Sequence, residues 1–195
     1  MVARDDPKVE LSPEQRTRNA AILCCSCLRN IAFYRAGWHE NSLLINDEFW
    51  RRVNGNFLDT AVHDWYKLFA DHKYGEHFWR RLFNDKRHTE FKSGLLAHLE
   101  INEEAFAERL KRTETYRDKF LAHLDAEPVM YLPTTEFIKR SIEYLLDSLL
   151  SDSETKEHLI GTGLTSAAEL FSAAQADGSL EYQNRLKCAR GTVHT

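Results

Sequence analysis

Apolar residues along most of this chain recur every three or four positions, the spacing that gathers them on one side of an α-helix. In the first such run Ile22, Leu23, Leu28, Ile31 and Ala32 follow Ser12-Pro13-Glu14-Gln15. That opening offers a capping hydroxyl, a proline suited to the first helical position and a Gln able to reach back to the cap, so a helix is predicted from Ser12 to Ala36-Gly37. A second starts at Asn46-Asp47 and runs through FWRRVNGNFLDTAVHDWYKLFA. Gly55, in the middle of that run, is read as a place where another helix can approach closely. After Asp71, the segment HKYGEHFWRRLFNDKRHTEFKSGLLAHLE reads as one or two short helices broken around Asn84 to His88.

Asn102 caps a further helix, with Glu103 and Glu104 in the first turn where the helix dipole favours acids, and this helix finishes by Pro128. Pro133-Thr134-Thr135 opens the next, in which Phe137, Ile138, Ile142, Leu145, Leu146, Leu149 and Leu150 keep helical spacing. Gly161-Thr162-Gly163 marks a break. Beyond it, TSAAELFSAAQ and EYQNRLKCA are expected as short helices joined around Asp177-Gly178, a cap, a partner surface or a tail. No stretch alternates as a strand would, and there is no internal repeat. The expectation is an all-α, antiparallel helical bundle of four to five main helices with short C-terminal helices. It divides into a flexible N-terminal segment (1–11), the bundle (12–151) and a C-terminal helical extension (152–195).

Composition adds limits. A chain of 195 residues suits one good core with appendages, and 43% hydrophobic with 29% charged residues describes a folded protein. A net charge of −4 leaves no global attraction to nucleic acid or an anionic membrane, so a basic site must be local. No apolar run approaches the roughly 20 residues of a membrane helix, and MVARDDPKVE lacks a signal peptide's apolar core, so a cytoplasmic protein is expected. Cys24, Cys25 and Cys27 crowd together while Cys188 stands apart, which reads as buried thiols in a reducing compartment. Nine His invite a metal reading, but His72 and His77, His63-Asp64, and His98 with Glu100 have no metal-ligand spacing.

The stretch YRDKFLAHLD breaks the pattern. At about 100° per residue, Phe106, Leu110, Thr113, Phe120, Leu121 and Leu124 share an arc of roughly 80°, and Arg117 projects from near its centre. A guanidinium does not shed its charge, so Arg117 must reach water, meet a carboxylate, or face a partner that supplies an anion. His123 lies about 120° away, on the side of Tyr116 and Lys119.

RDKFLAH resembles the signature of HEPN domains: an Arg, a polar residue directly after it, and a His with four to six residues between. Arg117, Asp118 and His123 match with five between. NDEFWRRVNGNFLDTAVHDWYKLF before the motif and TTEFIKRSIEYLLDSLL after it look like the abortive-infection branch of that family, over roughly residues 15 to 150. The resemblance implies a helical-bundle ribonuclease that uses no metal or other cofactor, with two copies of the motif meeting across a homodimer. It also implies a phage-defence or toxin-antitoxin setting, with a possible antitoxin as partner.

Within that resemblance, His123 serves as general base on a ribose 2′-hydroxyl or as general acid toward the 5′-oxygen. Arg117 holds the scissile phosphate and the charge that grows on it, and Asp118 orients either partner. Tyr116 and Lys119 are candidates to touch a base or phosphate, or else belong to a solvated face. The locally basic runs ERLKRTETYRDK and FWRRLFNDKRH, the second with interleaved aromatics, either grip an RNA backbone or form ordinary helix surface. The alternative function is a non-catalytic helical dimer acting as a protein- or RNA-binding module.

Overall fold

A computed structural model describes residues 10–72, 75–118 and 132–191, with side chains through residue 188. Six α-helices occur among the described residues: α1 (Pro13–Ala36), α2 (Glu48–Phe69), α3 (Asp85–Leu99), α4 (Glu103–Tyr116), α5 (Thr135–Ser151) and α6 (Ala167–Gly191). Short 3-10 turns at Trp79–Arg81 and Lys156–Leu159 fill two connections. The fold is an all-α helical bundle. None of the described helices is long and apolar enough to cross a membrane.

The capping residues start α1, α2 and α4 where the sequence placed them, whereas α3 starts at Asp85, inside the stretch Asn84 to His88 that reads as a break. Ser12 and Gln15 form a reciprocal capping box on α1, and Pro13 is its first residue. Side-chain oxygens of Asp47, Asn84 and Asn102 accept backbone N–H bonds at the starts of α2, α3 and α4. Each of these satisfies a donor that a helix start would otherwise leave open. The break after α5 is made by Gly161 and Gly163, both at positive φ, a region open to glycine at little cost.

α1 is the central member and packs most extensively on α2 and α6, and also on α5. Its Leu28 and Ile31 meet Trp65 and Leu68 of α2 and Ile138, Ile142, Leu145, Leu146 and Leu149 of α5 in a core closed to solvent. Cys24, Cys25 and Cys27 are buried in that core, as expected, and burial pushes their thiols up from the ordinary value. A thiol held protonated is a poor nucleophile. Cys188 lies exposed on α6.

Three expectations are corrected. Trp38–His39 and Ser42–Leu43 pair as an antiparallel two-residue hairpin, with Glu40 at φ 54° in its turn. Two residues per strand are too few to show alternation in a sequence. The C-terminal stretch does not form short helices joined at Asp177-Gly178: α6 runs through both positions. It shares the core through Ala167, Phe171 and Ala174. Its apolar face looked weak because small residues do the packing. A Cβ at Gly178 would lie 2.9 Å from Phe33 Cδ1 and 3.0 Å from the Ala36 Cβ, so this glycine is where α6 comes close to α1.

Gly55 is the third correction. It brings no helix close, since a Cβ there would meet nothing within 4 Å. In a helix interior such a glycine costs conformational entropy without giving contact. Gly55→Ala is therefore expected to stabilise the protein by about 1 kcal/mol, read as a rise of roughly 2–4 °C in the thermal unfolding midpoint. A fall would mean that the position is packed after all.

Candidate functional site

α4 is held against α5 by Phe106, whose ring stands edge-on to Phe137 at 5.6 Å, and by Arg109, whose guanidinium lies over the same ring at 5.4 Å. Thr113 is fully buried, and Phe106 and Leu110 are partly so. The apolar stripe is thus real up to Thr113. Phe120, Leu121 and Leu124, with His123 and Lys119, lie outside the described residues.

Arg117, at the end of α4, has a local explanation. Its guanidinium carbon sits 3.7 Å from the centroid of Tyr66, a residue of α2. Nε is 2.9 Å from Asp118 Oδ1, but its N–H is not aimed to form a hydrogen bond, and Nε is buried. The side chain remains 25% exposed while that of Asp118 is 54% exposed. Two of the available solutions are combined here: an acid beside the charge and partial access to water, on top of a ring whose electron-rich face attracts a cation.

Tyr116 does not lie on an open face. It is 4% exposed, and its hydroxyl donates to Asp59 Oδ1 at 2.6 Å. Burial, then the Asp59 carboxylate, pushes the phenol far above its ordinary value. Tyr116 therefore fastens α4 to α2 and positions its neighbour Arg117. Any contact it makes with a ligand is through the ring.

The residues that sequence reasoning missed come from α2. His63, Tyr66 and Lys67 occupy positions i, i+3 and i+4, one face of that helix. Burial lowers the His63 pKa, and Lys67 and Arg117 add to the effect against the opposing charge of Asp64. Glu114, one turn before Arg117, is raised by burial and by Asp118. Asp64 is raised by burial and keeps one oxygen without a hydrogen-bond partner. The signal lay in HDWYK, but only the pairing of α2 with α4 gives it meaning.

Lys67 and Arg117 both lie near enough to His63 to act on its charge, and Lys67 also borders a hollow beside Asn19 and Leu23 of α1; the adjacent acids limit how strongly this region attracts phosphate at long range. The run FWRRLFNDKRH, for which an RNA grip and an ordinary helix surface were both open, has much of its charge and aromatic surface engaged within the chain. Trp79 and Phe83 are buried, Arg81 pairs with Glu76, and Arg87 pairs with Asp152 and Glu90. In ERLKRTETYRDK, Arg112 pairs with Glu108. Among the described residues no three His, Cys, Asp or Glu side chains gather as metal ligands. No protein-family model matches the chain, and it matches neither a curated protein nor a solved structure.

Proposed function

We propose that the protein is a metal-independent endoribonuclease of HEPN type, in which two copies bring Arg117 and His123 to one phosphodiester. The observation that carries this is the partly open guanidinium of Arg117, set over Tyr66 at the end of α4 rather than enclosed in the core. The HEPN-like spacing of Arg117, Asp118 and His123 supports it.

In the proposed reaction an imidazole takes the proton of a ribose 2′-hydroxyl, and that oxygen attacks the adjacent phosphorus. The bond from phosphorus to the 5′-oxygen breaks as a second imidazole, from the other copy, protonates the leaving oxygen. Arg117 meets the added negative charge on the phosphoryl oxygens with directed N–H donors. The products are a 2′,3′-cyclic phosphate and a 5′-hydroxyl. DNA lacks the internal nucleophile and is spared. A role in phage defence or in a toxin-antitoxin pair, inside the cytoplasm and with an antitoxin as partner, follows from the same reading.

One observation favours the second reading, a non-catalytic dimeric module that binds RNA or protein: Asp118 already accompanies the Arg117 charge within the chain. The two are separated by incubating purified protein with RNA in excess EDTA beside His123→Ala. Cleavage by wild type alone, leaving cyclic-phosphate ends, supports the enzyme. Intact RNA throughout supports the module.

A further inference from the structure

Tyr116 forms part of the wall of a cavity of about 390 Å3. Tyr34 and Trp38 give it aromatic walls, their centroids 5.9 Å apart and their planes tilted by 52°. Trp38 is fixed in place: its indole N–H donates to Asn54 Oδ1 at 2.9 Å, and the Asn54 amide nitrogen donates to the Tyr34 carbonyl at 2.9 Å and the Tyr182 hydroxyl at 3.2 Å. Trp38 as a residue is nonetheless 36% exposed.

The floor contains Gly55, in front of which there is open space. Asp59 lines the cavity with one oxygen engaged by Tyr116. Arg51 also lines it, and none of the described acids forms an ion pair with it. A rigid aromatic wall, a carboxylate acceptor and a guanidinium that no described acid pairs with together match a planar, N–H-bearing ring that carries a phosphate.

We propose that this cavity is a base-binding subsite that seats guanine of an RNA strand beside the scissile phosphate. Guanine lies against Trp38 and Tyr34, and its adjacent ring and exocyclic N–H groups donate to Asp59. Arg51 meets the flanking phosphate. Tyr116 borders the cavity, and its covalent neighbour Arg117 serves the next phosphate, so base and phosphate sites are joined through one stretch of backbone. This inference rests on the ribonuclease reading for its ligand, while the cavity itself is independent of that reading.

The test is calorimetric titration of the full chain with guanosine, guanosine monophosphate, and short RNAs containing guanine or uracil and blocked by 2′-deoxyribose at the scissile position. Guanosine is expected to bind wild type and to bind Arg117→Ala within about twofold. Gly55→Leu, which fills the floor at a site that accepts a side chain without strain, is expected to weaken binding at least tenfold while its unfolding midpoint does not fall. Asp59→Asn is expected to lose the preference for guanine over uracil.

Equal binding by wild type and Gly55→Leu, or no binding of guanosine to wild type, overturns the proposal. So does a mononucleotide that binds more tightly than the guanine-containing RNA, which would mark a free-nucleotide site. If wild type and Gly55→Leu cleave RNA alike at every sequence, the subsite fails and the ribonuclease reading stands. If guanosine binds and no RNA is cut, the subsite stands and the nuclease reading fails.

Discussion

Arg117→Lys is expected to lose RNA cleavage by at least about a hundredfold, nearly as much as Arg117→Ala. The magnitude is that of removing one preorganised donor to a developing oxyanion, about 10²–10³ in rate. Lysine keeps the charge but replaces a planar fork with a compact ammonium. It cannot lie over Tyr66 as the guanidinium does at 3.7 Å, nor present two parallel N–H groups to a phosphate. Initial rates on a defined RNA in EDTA measure the effect. The stability change should stay small, about 1 kcal/mol, because the ring contact is partly exposed. A lysine variant within tenfold of wild type would show that charge alone suffices, and the bidentate role would be lost.

Trp65→Ala carries the largest expected stability loss. Trp65 is fully buried, stacks on Phe69 at 5.3 Å, leans on Phe137 at 5.5 Å, and donates its indole N–H to Ser141 Oγ at 2.7 Å. Its removal leaves a large cavity between α2 and α5, worth about 3–5 kcal/mol, and takes the indole partner from the buried Ser141 hydroxyl. Against a total of about 5–15 kcal/mol for a domain, that is a large share. The unfolding midpoint should fall by roughly 10 °C, measured by circular dichroism. A fall of only a degree or two would mean that α2 and α5 can close the gap. Because Tyr66 is the next residue on α2, the same substitution should also loosen the platform beneath Arg117.

The helix framework was legible because its signals are local. Ser12, Asp47 and Asn102 cap within three residues, and the apolar spacing of α5 stays in register for four turns. What escaped depends on distant partners. Gly178 reads as a breaker until Phe33 and Ala36 are seen against it, and Gly55 reads as a contact point until its surroundings prove open. The candidate site divides the same way. Arg117 announced itself by sitting on an apolar stripe, whereas the reason it is tolerated there, Tyr66, is 51 positions earlier, a separation no helical period connects. Tyr116 was misjudged because its direction depends on Asp59, which is 57 residues away.

The Asn54 side chain joins the end of α1, the hairpin and α6 through three hydrogen bonds. Tyr182, its partner on α6, also rests against Trp50 at 5.3 Å. Clipping the chain ahead of Tyr182 would therefore leave a buried amide hydrogen without its phenolic acceptor and bare an indole at the start of α2. The damage would be felt at Trp38, well over a hundred residues upstream. The last helix thus works as a latch on a structure laid down near the beginning of the chain.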